Sequence, residues 1–168
     1  MAAAQGVVRV HRTERTVTFR VEDRATMTQA HPFRRCAEQS LASGAKVLRV
    51  DLRHCTYLDS TFLGTLLCLK RDIDRRGQAE FALVSPSPQC SRLLKQMGID
   101  EILPVVVADE TPADDCTEIQ GAGEDFPTVK GNVIQAHQEL AGLPGAAGAA
   151  FQGVLRCMNQ AQEKEKGT

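Results

Sequence analysis

The chain has 168 residues, a formal net charge of -1 and 42% hydrophobic residues, values typical of about one globular domain with a short appendage. Twenty basic residues nearly balance twenty-one acidic ones, so charge gives no reason to expect a nucleic-acid partner or a polybasic membrane anchor. The longest apolar run, Phe62 to Leu69, is far shorter than the ~20 residues that a membrane-spanning helix needs. We therefore expect a cytoplasmic protein without nucleic-acid or membrane partners.

The cysteines and histidines are scattered along the chain. No two of the six cysteines form a Cys-x-x-Cys pair, and several lie in apolar stretches, so we expect reduced thiols. None of the four histidines has metal-ligand spacing to another His or to a Cys, so no metal site is predicted. The sequence has neither a glycine-rich phosphate loop nor a nucleophile elbow, and we expect neither a cofactor nor catalysis.

The first part of the chain alternates between strand-like and helical patterns. Two β-branched runs, Val7–Val10 and Thr16–Val21, predict a hairpin of two strands. Apolar residues at helical spacing predict a helix from Pro32 to Ala42, with Gly44 just past its end. Alternation then predicts a strand over Val47–Leu52.

A second helix is predicted to begin at Asp59, since aspartate is a favourable N-cap. A wide apolar stripe continues from Phe62 to Ile73, and Gly77 is expected to end the helix.

The pattern of strand and helix continues beyond this helix. Phe81–Val84 predict a strand, and Ser87 with Pro88 opens another helix. Ile102–Val107 predict a last strand that Pro104 restricts to an edge or a bulge. Alternation from residue 47 onward implies parallel strands joined by right-handed crossovers. Residues 5–108 are therefore expected to form a small α/β domain.

The remainder of the chain has a different composition. Residues 109–125 are acidic and poor in apolar groups, which predicts a solvated linker. Apolar residues then recur at helical spacing over 126–140 and 151–158, with an Ala/Gly-rich turn over 143–150. We therefore predict an amphipathic helical hairpin over residues 126–164. Such a hairpin needs a partner surface, in its own chain or in another copy, so homo-oligomerisation through it remains open.

The most informative stretch is the junction between the strand at Val47–Leu52 and the helix that follows. Asp59 is followed there by two hydroxyl residues, Ser60 and Thr61, in the first helical turn. This junction resembles the STAS domain of bacterial anti-sigma factor antagonists, where it reads roughly Asp-Ser-Ser-Gly-Leu-Gly. The resemblance covers about residues 7–107 and includes further segments, Ala82–Val84, Leu93–Ile99 and Leu103–Val105. It implies a small α/β fold with a mixed, mostly parallel sheet of about four to five strands flanked by helices, to which the hairpin is added.

The resemblance also implies a binding protein rather than an enzyme. In that family the second hydroxyl of the junction accepts phosphate, which corresponds to Thr61 here, with Ser60 as the alternative. The unmodified form would capture an anti-sigma factor, a serine/threonine kinase of the histidine-kinase-like ATPase type, and phosphorylation would reverse the capture. The first helical turn suits this chemistry, because its free N–H groups and its dipole favour an anion.

The docking surface is expected to combine this junction with the end of the early strand. Its predicted members are Asp59, Ser60, Thr61, Phe62, Leu63, Asp23 and Thr26. Two of them depart from the family pattern: Phe62 replaces a Gly, and Thr26 stands where an Asp is typical, although Asp23 could approach from a shifted register. Phe62 is either a docking anchor or a sign that only the binding surface survives. The alternative function is therefore a non-phosphorylated STAS scaffold or adaptor subunit of a signalling or transport complex.

Overall fold

The computed structural model describes residues 5–110, 112–119 and 126–167. Within them, a mixed six-stranded sheet has the strand order β5-β4-β3-β2-β1-β6. The strands are β1 Val7–Arg12, β2 Thr16–Ala25, β3 Val47–Leu58, β4 Glu80–Val84, β5 Val105–Val106 and β6 Thr117–Glu118. The helices are α1 Met27–Ala42, α2 Ser60–Arg76, α3 Pro88–Gln96, α4 Phe126–Ala141 and α5 Gly145–Lys166. The predicted fold class is confirmed, with six strands in place of four to five.

The sheet pairing follows the predicted alternation. β1 pairs antiparallel with β2, while β2, β3, β4 and β5 run parallel to one another. β3 continues to Leu58, although its sequence pattern had indicated an end at Leu52. The register between β2 and β3 shifts twice beyond Arg20, and such irregularities break the period of two by which a strand is recognised.

Three aromatic rings fix α1 and α2 on one face of the sheet. Phe33 of α1 lies edge-on to Phe19 of β2, with 4.8 Å between ring centroids, and stacks on Phe62 of α2 at 5.0 Å. All three side chains are fully buried. α1 begins at Met27, ahead of Pro32, because Thr26 and Gln29 form a capping box.

The acidic segment after β5 is not simply solvated. Glu110 pairs with Arg20 at 3.2 Å and with His54, and Arg53 donates to the carbonyl oxygen of Ala108. Further along, β6 adds to the free edge of β1. The segment therefore crosses the outer face of the sheet, because its acidic side chains meet the basic side chains exposed there. Residues 111 and 120–125 of the predicted linker lie outside the described residues.

The two C-terminal helices pack as a pair against the domain. α4 lies on α2, and α5 lies on α4. α5 begins at Gly145, inside the segment 143–150 that had been predicted as a turn, because its alanines favour helix strongly. Gly145 itself has a φ of 75°, in the left-handed region that lets the chain turn between the helices.

Candidate functional site

The site is organised around the carboxylate of Asp59, the N-cap of α2. One oxygen, Oδ1, accepts a hydrogen bond from the backbone N–H of Phe62 at 2.8 Å. The other, Oδ2, accepts from the backbone N–H of Met27, the first residue of α1, at 2.7 Å. The predicted cap is confirmed, and the structure adds that a single carboxylate holds the first turns of two helices together.

The Ser60 hydroxyl contacts the hairpin. Its Oγ lies 3.0 Å from Nε2 of His137 in α4, and Nδ1 of the same ring lies 2.8 Å from the carbonyl oxygen of Val133. Because a carbonyl only accepts, Nδ1 carries a proton, and in this tautomer Nε2 accepts from the serine hydroxyl. The ring is 6% exposed. No local pattern predicts this contact, since 77 positions separate the two residues.

Thr61, the predicted phosphate acceptor, is enclosed in this conformation. The residue is only 4% exposed. Its carbonyl oxygen accepts from the hydroxyl of Thr65 one turn later, at 2.7 Å, and Thr65 Oγ1 in turn accepts from Asn132 of α4 at 3.3 Å. An enzyme can reach the Thr61 hydroxyl only if this packing changes, whereas Ser60 is half-buried.

Phe62 and Leu63 belong to the core, contrary to their expected place on a docking surface. Phe62 is fully buried and Leu63 is 2% exposed. The ring that replaces the family's glycine points inward, where the stack on Phe33 accommodates it. Neither side chain is available as an anchor for a partner in this conformation.

The two predicted residues from the early strand have different surroundings. Asp23 is exposed, has a φ of 59°, and accepts at its carbonyl oxygen from the Thr56 hydroxyl at 3.0 Å. Thr26 is committed to the cap of α1: its backbone N–H and its hydroxyl both donate to Oε1 of Gln29 at 2.9 Å. Asp23 therefore remains accessible, while Thr26 has a structural role.

Three exposed side chains surround the Asp59 cap in the chain and were not predicted: Arg24, Met27 and Tyr57, called the exposed cluster below. Met27 is 50% exposed and Tyr57 is 44% exposed, and the Arg24 guanidinium lies 4.2 Å from the centre of the Tyr57 ring. Arg24 and Tyr57 face each other across β2 and β3. Extending the predicted strand to Leu58 would have brought them together. Methionine, tyrosine and arginine are the residue types enriched in protein interfaces.

Two further classes of site find no support among the described residues. No three histidine, cysteine or acidic side chains in those ranges lie close enough together to hold a metal ion. No helix in the described part of the chain is long and apolar enough to cross a bilayer.

The fold and the capped helix start together define a small α/β domain of the STAS class. A sequence model of the family described as "Mlab, STAS domain" matches residues 8–106, more than half of the chain. The chain therefore belongs to the STAS domain family. The match ends before the helical hairpin, which is an addition to the family domain.

Solved structures with low sequence identity share this fold. The anti-sigma factor antagonist SpoIIAA in its unphosphorylated form has a TM-score of 0.55 at 17% identity, covering 61% of this chain and 89% of that chain. An anti-sigma factor antagonist from Mycobacterium paratuberculosis has a TM-score of 0.54 at 19% identity, covering 68% and 92%. A putative anti-sigma factor antagonist from Thermotoga maritima has a TM-score of 0.53 at 23% identity, covering 60% and 85%. No curated protein matches the sequence. The predicted resemblance is confirmed at the level of family and fold.

Proposed function

We propose that the chain is a cytoplasmic, non-enzymatic binding module that captures an anti-sigma factor and is switched by phosphorylation at the start of α2. The acceptor is Thr61, with Ser60 as the alternative. The partner is a serine/threonine kinase of the histidine-kinase-like ATPase type, and ATP enters only through it. One observation supports this proposal above the others: two hydroxyl residues directly follow Asp59, whose carboxylate also accepts a hydrogen bond from Met27 of the exposed cluster.

The exposed cluster supplies what a partner needs to bind. Tyr57 and Met27 offer apolar surface that is already exposed to solvent, and Arg24 is held over the Tyr57 ring. Aromatic and arginine side chains of this kind carry most of the free energy of many interfaces. We expect the partner to contact this cluster together with Asp23 and Asp59.

Phosphorylation would change the charge of this surface. A phosphate adds about -1.5 to -2 charges at neutral pH, next to the carboxylate of Asp59. An acidic partner surface docked at the exposed cluster would then be repelled. Release of a partner needs a change of only a few kcal/mol, which one such charge in a partly desolvated contact supplies.

Capture from native cells followed by a kinase assay tests this proposal. The full chain serves as bait, and the captured proteins are incubated with the chain and ATP before its intact mass is measured. We expect the mass of one added phosphate. Its loss in Thr61→Ala or in Ser60→Ala identifies the acceptor, and its loss only in the double variant means that either hydroxyl can accept. Tyr57→Ala should lose the captured kinase, whereas Val107→Ala, a change at an exposed valine after β5, should keep it. Phosphate incorporation into the double variant would remove this site from the switch.

A second candidate function is a non-phosphorylated adaptor subunit of a signalling or transport complex. The enclosure of Thr61 and the inward position of Phe62 favour it. In that case the bait captures a partner through the exposed cluster but gains no phosphate in the same assay. Homo-oligomerisation through the hairpin is tested by gel filtration, since α5 has a largely exposed outer side that a second copy could contact.

A further inference from the structure

We infer that the α4–α5 hairpin is an autoinhibitory cover, which occupies the outward stripe of α2 in the resting chain and must leave before a partner or a kinase reaches the start of this helix. The inference rests on the proposed function, because it specifies how the same site is regulated.

α2 has one stripe that faces α4 along its length. Residues spaced three or four apart lie on the same side of a helix. Four such residues of α2 each lie against a residue of α4: Ser60 against His137, Gly64 against Ala136, Cys68 against Gln135, and Arg71 against Glu139. The hairpin therefore lies over α2 from Ser60 to Arg71, and the Ser60 hydroxyl is engaged while the hairpin is bound.

The contact between α2 and α4 is polar for a buried interface. Asn132 and His137 of α4 are 5% and 6% exposed, and both donate or accept hydrogen bonds across it. Arg34 of α1 adds two more bonds, to Asn132 at 3.1 Å and to Gln135 at 2.7 Å. Surfaces that separate within a chain resemble transient interfaces, which are more polar than a permanent core. Most of this contact can therefore exchange its hydrogen bonds for water.

Apolar packing closes the cover at one end. Leu140 and Leu143 are buried and belong to the main core cluster. Phe151 of α5 packs against the His137 ring, with 6.1 Å between centroids. These side chains favour the closed state, and at the helix start the hydrogen bond between Ser60 and His137 adds to them.

The close approach of α4 depends on the absence of a side chain at Gly64. A Cβ at this position would lie 2.2 Å from the carbonyl oxygen of Ala136, which belongs to the backbone and cannot rotate away. Alanine is a better helix former than glycine, so Gly64→Ala leaves α2 itself stable. The substitution is therefore expected to displace α4 without unfolding the domain.

Closure and phosphorylation exclude each other in this arrangement. A phosphate on Ser60 would remove the hydrogen that His137 accepts and would not fit in a contact of 3.0 Å. Thr61, at 4% exposure, is likewise closed to an enzyme in this conformation. A modified chain is accordingly held open, and an unmodified chain opens only when a partner competes with α4.

Cys68 is a built-in reporter of opening. Its thiol is fully buried, 3.7 Å from the carbonyl oxygen of Gln135, and burial raises its pKa. Cys55 and Cys90 are buried elsewhere, between β3 and α3, and Cys157 is exposed. A hydrogen bond with Cys55 lowers the pKa of Cys90, which favours its reactive thiolate, so slow labelling of Cys90 reports burial.

The test is a time course of N-ethylmaleimide labelling on the full chain, with each cysteine followed by mass spectrometry. In Gly64→Ala we expect Cys68 to react at least tenfold faster than in the wild type, while Cys55 and Cys90 stay slow. Gly131→Ala is the matched control, because the added methyl group on α4 meets no atom within 4 Å. Cys68 that stays protected in Gly64→Ala, with the protein folded, overturns the inference.

Unfolding of Gly64→Ala would expose all three buried thiols together, and Ser60→Ala is then the deciding variant. Ser60→Ala removes the donor to His137 Nε2 and adds no bulk, so we expect a several-fold faster labelling of Cys68 alone. No rise at Cys68 in this variant contradicts the inference.

The labelling result and the kinase assay separate failure of the cover from failure of the proposed function. Faster labelling of Cys68 in Gly64→Ala without any phosphate uptake supports the autoinhibitory cover and contradicts the phosphorylation switch. The opposite result is phosphate uptake at equal rates in the wild type and in Gly64→Ala, with Cys68 protected in both. It supports the phosphorylation switch and contradicts the autoinhibitory cover.

Discussion

The two sides of α2 differ in chemistry although both are buried. Toward the sheet it presents large apolar side chains, including Phe62, Leu66 and Leu69, all at most 1% exposed. Toward α4 it presents small or polar ones, including Gly64 and Thr65, in a contact held by hydrogen bonds. Burial alone therefore does not distinguish what holds the domain together from what can be removed, whereas the chemistry of the buried atoms does.

The largest expected effect comes from the sheet side. Phe62→Ala removes a ring stacked on Phe33 and leaves a cavity, so we expect a loss of about 3–5 kcal/mol in the free energy of unfolding, measured by urea denaturation. Phe62→Leu, which keeps most of the volume, should lose much less. Unchanged stability in Phe62→Ala would place the ring outside the core and restore it as a candidate docking anchor.

Asp59 stabilises the starts of two helices, because its carboxylate caps α2 and also accepts a hydrogen bond from the first N–H of α1. Asp59→Ala removes both hydrogen bonds, and at about 1 kcal/mol for each cap we expect a loss near 2 kcal/mol. Asp59→Asn retains one acceptor oxygen and should lose about half as much. Equal losses in the two variants would mean that only one of the two hydrogen bonds matters.

The α4 side should respond more weakly. Asn132→Ala removes the hydrogen bond that Thr65 Oγ1 accepts and one of the two bonds that Arg34 donates to α4. We expect a loss of about 1–2 kcal/mol in thermal or urea unfolding, together with faster labelling of Cys68. Gln135 also accepts from Arg34 but is exposed. Gln135→Ala is therefore the matched control and should change stability little. A larger loss of stability in Gln135→Ala than in Asn132→Ala would show that the exposed contact with Arg34, not the buried polar contact, holds the hairpin.

The smallest effect concerns the acidic segment on the outer face of the sheet. A hydrogen bond with His54 lowers the pKa of Glu110, and the positive charge of the nearby Arg20 lowers it further. The folded state therefore favours the charged form of Glu110. Its contribution is present above the ordinary carboxyl pKa and is lost as the pH falls through the lowered value. We expect Glu110→Gln to be slightly less stable than the wild type at pH 7, with the difference vanishing in acid. A difference that persists at low pH would contradict this origin.

What the sequence predicted correctly depends on short-range signals. The Asp59 cap, the Gly77 end of α2 and the order of strands and helices follow from local patterns, and all three are present. The inward position of Phe62 required knowledge of Phe33, and the contact of Ser60 with His137 required knowledge of α4. Such contacts join residues far apart in the chain, and no periodicity records them.

The position of β6 limits how far the hairpin can travel once released. Because β6 stays paired with β1, only residues 119–125 separate that fixed point from α4, and they span at most about 25 Å. The freed hairpin thus remains at an effective concentration of about millimolar or above beside its own binding surface. A protein from solution must compete with this tethered hairpin for the same surface. A weakly binding partner is therefore excluded, and only an abundant or tightly binding one displaces the hairpin.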